Sequence, residues 1–204
     1  MTIHLHQGDL PSGIDFGTSV AVDSETLGLS LGRDRLCLVQ LSAGDGDAHI
    51  VRFERGNYDA PNLKALLSSQ NVLKIFHFAR FDVAMFERHL GVVTRPVYCT
   101  KIASRLSRTY TDRHGLKDVS RELLGIEISK TQQSSDWGAD VLSPEQLAYA
   151  ASDVLHLHAI KARLDQMLER EGRDELARAC FDFLPTRARL DLAGWPDIDI
   201  FAHA

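Results

Sequence analysis

The sequence predicts an α/β fold, a mixed sheet whose early strands run antiparallel and are covered by the helices that follow. Three observations carry this. Between Val20 and Phe53, three short runs rich in Val, Leu and Ile are separated by turns built from Gly and Asp. From Pro61 onward, strand-like and helix-like runs alternate. Near the end, Ser143-Pro144-Glu145-Gln146 supplies an N-cap, a first-position proline and a capping-box glutamine in the spacing of a helix start.

Taken in order, Val20 to Val22 reads as a short buried strand running into Asp23, with a turn opened by Gly28. Leu36 to Leu41 is the next strand, and the Gly44 to Asp47 tip leads to another at Ala48 to Phe53. Pro61 opens a short helix to about Ser69, and Val72 to Phe76 is a buried strand. A helix from Ala79 to Leu90 stops at Gly91, and Val97-Tyr98-Cys99 is a short strand before several helices up to Leu124. The capped helix is expected to run unbroken from Pro144 to about Glu171, before Gly172. The chain of 204 residues fits one domain, with a core over about 14–170 and a C-terminal helix and tail over 173–204.

The balance of 44% apolar and 25% charged residues is that of an ordinary globular chain, and a net charge of −5 gives no general attraction to nucleic acid. Charge is uneven, however. From Arg95 to Lys130, basic side chains such as Lys101, Arg105, Arg108 and Arg121 outnumber acids, which suits either phosphate or a solvated helix surface. Cys37, Cys99 and Cys180 show no CxxC spacing and read as reduced core thiols. No basic, apolar leader and no apolar run of membrane length is present, so a cytoplasmic protein is expected.

Chemistry enters with the acids. Alternation along an extended strand sends Asp23 and Glu25 to one side, about 6 to 7 Å apart. Two like charges at the end of an apolar strand call for a proton or a cation, and hard oxygen donors suit Mg²⁺ or Mn²⁺. A lone Asp-x-Glu is more often a solvated turn, but acids recur. Asp82 falls in the first turn after the Val72 to Phe76 strand, where it either offsets the helix dipole or reaches the mouth of the sheet beside Asp23. Tyr149 and Asp153, four apart on the capped helix, share one face among the small residues Ala148, Ala150, Ala151 and Ser152. His156 and His158 are read as packing or surface residues.

The set Asp23/Glu25, Asp82 and Tyr149 with Asp153 resembles the DEDDy 3'-5' exonucleases, of RNase H-like fold. The strings Ile128 to Trp137, Leu142 to Asp153, Cys99-Thr100-Lys101-Ile102-Ala103 and Gly115-Leu116-Lys117 are similar to the ribonuclease D branch. Within it, the segment Thr109 to Leu116 and the tail Asp191 to Phe201 resemble the NanoRNase C group of proteobacteria. The resemblance implies hydrolysis aided by two divalent cations, Mg²⁺ or Mn²⁺. Asp23 would bridge both, Glu25 and Asp153 would complete the site of the attacking water, Asp82 would help hold the second ion, and Tyr149 would orient the water.

The same resemblance implies a substrate of very short RNA, 5'-phosphorylated dinucleotides, with Leu29 inserted between the bases and His77 and Arg80 as substrate contacts. It also implies a homo-octamer and no helical C-terminal domain of the kind that follows the nuclease domain in ribonuclease D. The apolar side chains of the tail, Trp195, Ile198, Ile200 and Phe201, would dock on a neighbouring subunit or fold back as an edge strand. Two alternatives stay open: a general 3'-5' exonuclease acting on longer RNA or duplex DNA, and a non-catalytic nucleic-acid-binding module.

Overall fold

In the computed structural model, which describes residues 2–129, 131–132 and 134–203, a mixed sheet of six strands forms the centre. The strands are β1 (Ile3–Gln7), β2 (Ser19–Thr26), β3 (Leu36–Ser42), β4 (Ala48–Arg52), β5 (Leu73–Phe76) and β6 (Val97–Cys99), in spatial order β1-β4-β3-β2-β5-β6. The β2/β3 and β3/β4 pairs are antiparallel, while β1/β4, β2/β5 and β5/β6 are parallel. The predicted antiparallel start and the α/β alternation after it are both present. All seven residues of β3 are buried, because it lies inside the sheet with both faces covered.

Around the sheet run α1 (Pro61–Ser68), α2 (Ala79–Leu90), α3 (Thr100–Ser107), α4 (Leu116–Leu124), α5 (Pro144–Leu155), α6 (Leu157–Arg170) and α7 (Asp174–Leu192). The start of α5 is the capping box expected from its residues. Ser143 Oγ accepts from the Gln146 amide at 3.2 Å, and Gln146 Oε1 accepts from the Ser143 amide at 2.9 Å. Fully buried Ala150 and Ala151 let α5 lie close on β3 and β4. A second apolar cluster forms there, in which Trp137, Leu142 and Ala150 meet Cys37, Leu38 and Ile50.

Several expectations change. The strand β1 was not anticipated; it adds a parallel edge to β4, so the ordered core begins at Ile3 rather than near residue 14. The helix expected to run from Pro144 to Glu171 is two helices with His156 between them. The reason is packing: α5 lies on β3 and β4, whereas α6 buries Ile160, Leu164 and Leu168 and packs on α3, and one straight axis does not serve both. Cys180 is half-buried, unlike the buried Cys37 and Cys99.

Part of the basic stretch is self-paired. The fully buried Arg108 is held by Glu122, and Arg121 donates to Asp118 at 2.7 Å, so these guanidiniums serve the fold rather than a phosphate. Lys130, part of the same expectation, lies outside the described residues. Among those residues, no helix is long and apolar enough to cross a membrane.

Candidate active site

Three elements bring the acids together. Asp23 and Glu25 leave one side of β2 near its end, as the period of two requires, and a register irregularity follows at Glu25/Thr26. Beside β2 runs β5, whose chain turns sharply at Phe78 and starts α2, carrying Asp82 in its first turn. From across the sheet, α5 contributes Tyr149 and Asp153 one helical turn apart.

One carboxylate oxygen from each of Asp23, Glu25 and Asp153 lies within 4.8 Å of the other two. Asp82 adjoins this trio without entering it. It is buried, and its Oδ1 accepts from Ser24 Oγ at 2.6 Å. Among the described residues, none of the four acids has a Lys or Arg nitrogen within 4.0 Å.

The electrostatic result is four carboxyls that resist ionising. Burial, then the charges of Asp82, Asp153 and Glu25, pushes Asp23 well above the usual carboxylate range. Glu25 is pushed up to about 9 by burial and by Asp153 and Asp82. Asp82 rises to about 7 through burial, opposed by the hydrogen bond from Ser24. Asp153 also rises to about 7 through burial, opposed by a hydrogen bond from Tyr149. Burial and the neighbouring carboxylates raise the Tyr149 phenol as well. A half-buried all-oxygen set with, among the described residues, no Lys or Arg nitrogen beside it fits hard divalent cations, which would replace the protons.

The other candidates divide. Leu29 stands 84% exposed and, with Phe78, Phe81 and Arg80, lines a cavity of about 520 Å³. His77 is half-buried, with Nδ1 2.8 Å from Thr100 Oγ1, and burial followed by the Lys101 charge lowers its pKa to about 3. Arg80 is already engaged, donating to both Asp191 oxygens at 2.6 and 2.8 Å and to the Pro196 carbonyl. His158 stays away from the acids, with Nε2 3.4 Å from the Ser19 carbonyl.

Two residues at the site escaped the sequence reading. Ser24 gives no local signal, because its partner lies 58 positions away. Phe78 adopts φ 74° at the mouth of the cavity, a left-handed conformation that a bulky side chain rarely takes and that no sequence signal announces. Its ring is 45% exposed, with Lys101 Nζ 4.3 Å from the ring centroid. The Ser-Asp-Trp string also has a place: buried Trp137 packs on Tyr149 with ring centroids 5.9 Å apart.

A mixed sheet of this order, with acids delivered from strand end, first helical turn and crossing helix, is the RNase H-like arrangement. A model of the 3'-5' exonuclease family matches residues 11–169, and the chain belongs to that family. Ribonuclease D of Gluconacetobacter diazotrophicus is 36% identical over 154 residues, covering 76% of this chain and 39% of that protein. The chain thus spans about two fifths of the length of such curated relatives. Brucella melitensis NrnC matches over the whole of both chains, with a TM-score of 0.96 and 56% identity in the structure with bound Mg²⁺. In the structure bound to pGG the values are 0.97 and 57%. Escherichia coli RNase D, at 24% identity and a TM-score of 0.73 over 84% of this chain and 45% of that one, shares the fold.

Proposed function

We propose that this chain is a divalent-metal-dependent 3'-5' exoribonuclease of the DEDDy type that hydrolyses very short RNA, 5'-phosphorylated dinucleotides, to nucleoside monophosphates. The observation that carries the proposal is the trio of carboxylate oxygens from Asp23, Glu25 and Asp153 within 4.8 Å of one another. The likeness to Brucella melitensis NrnC, whose structures include one with Mg²⁺ and one with pGG, supports the choice of cofactor and substrate.

In this reading Asp23, Glu25 and Asp153 hold one cation, and Asp82, fixed by Ser24, joins Asp23 in holding another. Two such ions, when bound, supply the positive charge that stabilises the attacking and leaving oxygens of an in-line displacement at phosphorus. Tyr149, with its phenol pKa raised, keeps its proton and orients the attacking water instead of deprotonating it. Trp137 stiffens that phenol from behind. Leu29 and Phe78 both line the cavity of about 520 Å³, and in this reading Leu29 separates the two bases while the Phe78 ring gives one of them a flat face. His77 and Arg80 complete the substrate contacts, with Arg80 presented in a fixed orientation by Asp191.

The chain is read as a single cytoplasmic nuclease domain assembling as a homo-octamer, with residues 173–204 in subunit contacts. The exposed Ile198 and Phe201 of the tail support this. Digestion of 5'-labelled RNAs from two to about twenty nucleotides, with Mg²⁺ and with Mn²⁺, tests the substrate. A rate that falls steeply beyond two nucleotides is expected; equal rates along the ladder would leave the general exonuclease in its place. Tyr149→Phe is expected to cost about 10- to 100-fold in kcat with metal affinity unchanged, as read by kinetics and by Mn²⁺ titration.

A further inference from the structure

Outside the acid cluster, a cleft of about 930 Å³ opens where the ends of β2 and β4 meet the segment 136–140. None of Asp23, Glu25, Asp82 and Asp153 lines it. Two half-buried guanidiniums in its wall reach main-chain carbonyls. Arg35 donates to Phe53 O at 3.4 Å and Gly138 O at 3.5 Å, and Arg52 donates to Ala139 O at 2.7 Å. Among the described residues, neither has a carboxylate oxygen within 4.0 Å.

Each guanidinium carries five N–H donors, so most of these forks are unspent. Because Gly138 and Ala139 are consecutive, the two guanidiniums are tied to neighbouring peptide groups, and like charges so placed favour an anion beside them. Three acids, Glu54, Asp136 and Asp140, also line the cleft without an oxygen within 4.0 Å of either guanidinium, and Asp136 Oδ1 accepts from the Gly138 amide at 2.9 Å. Arg33 in the rim is spent on Asp34 at 2.7 Å and Arg55 stands exposed at the edge, which leaves Arg35 and Arg52 as the half-buried pair. In the same cleft the Tyr58 ring, 5.3 Å from Phe53 and 4.9 Å from His89 between centroids, forms an aromatic shelf.

We infer that this cleft binds a phosphomonoester dianion, gripped by the Arg35 and Arg52 forks, with the Tyr58 shelf available to a base when the phosphate belongs to a nucleotide. Paired guanidinium forks match the oxygens of a phosphate in geometry as well as charge. The inference does not depend on which RNA the acid cluster hydrolyses.

Calorimetric titration of the full chain, stripped of divalent ions so that the acid cluster offers a phosphate nothing, tests it. The probes are inorganic phosphate, guanosine monophosphate and guanosine. Saturable binding of one or both phosphates and none of guanosine is expected, weakened about tenfold or more in Arg52→Gln and unchanged in Asp153→Asn. Equal affinity for phosphate and nucleotide would identify free phosphate as the ligand, and tighter nucleotide binding would bring in the shelf. Should Arg52→Gln not fold, Arg52→Lys and Arg35→Lys keep the charge without the fork and are expected to weaken binding severalfold. The inference is overturned if neither phosphate binds, if guanosine binds as well as its monophosphate, or if Asp153→Asn abolishes a signal that the arginine variants leave intact.

Discussion

Asp191 and Asp153 are both buried or nearly buried aspartates on helices, and they live in opposite electrostatic worlds. Asp191 is gripped by two guanidiniums, Arg80 at 2.6 and 2.8 Å and Arg187 at 2.6 and 3.0 Å. Asp153 meets two further carboxylates and a phenol. The first acid is neutralised by the chain itself and ties α7 to α2. The second is neutralised only by something brought in, a proton or a metal. A buried charge left without its own partner marks a place where the fold has given up stability for binding.

The contrast predicts opposite outcomes for like substitutions. Asp23→Asn should remove on the order of 10³-fold of hydrolytic activity while the metal-free protein melts no lower, because a repelling charge has gone. Activity assay and thermal melting together check this, and a lower melting point would refute the account of the cluster. Asp191→Asn should do the reverse, costing about 3 kcal/mol by stranding two guanidiniums, visible as a melting point roughly 6–12 °C lower.

A pH series sharpens the same contrast. The site carboxyls bind protons more tightly folded than unfolded, with Asp82 and Asp153 near 7 and Glu25 near 9. Their contribution to stability is therefore fully present below the ordinary carboxylate range and is lost as pH rises through 7 towards 9. Metal-free protein should lose melting temperature over that span, and Mg²⁺ should restore more at pH 8.5 than at pH 6. A Mg²⁺ effect equal at both values would contradict the raised pKa values. The smallest effect is expected for Ser24→Ala, which removes the donor to Asp82. A severalfold loss of rate and about 1 kcal/mol of stability should follow, with Ser24→Thr close to the parent.

What the sequence made legible was local. The alternation that pairs Asp23 with Glu25, the capping box at Ser143, and the spacing of Tyr149 and Asp153 all depend on neighbours within a few positions, and all are present in the structure. What stayed hidden was paired at long range. The strand β1 finds its parallel partner about 45 positions away with no hairpin turn to signal it. The Arg80 to Asp191 pair spans 111 positions, so nothing near Arg80 in the sequence announces the carboxylate that holds it. The break at His156 carries neither Gly nor Pro; it is imposed by the two surfaces that α5 and α6 must cover.

The packing of Trp137 against Tyr149 also gives the molecule an optical handle. Trp137 is 2% exposed and packs on the Tyr149 ring, whereas Trp195, at 45%, lies wet in the tail. Emission from this chain therefore divides into a blue, quencher-resistant component reporting on the interior beside the acids and a red, quenchable one reporting on the terminus. Events at the two ends of the molecule can be followed separately in one cuvette, with no label attached.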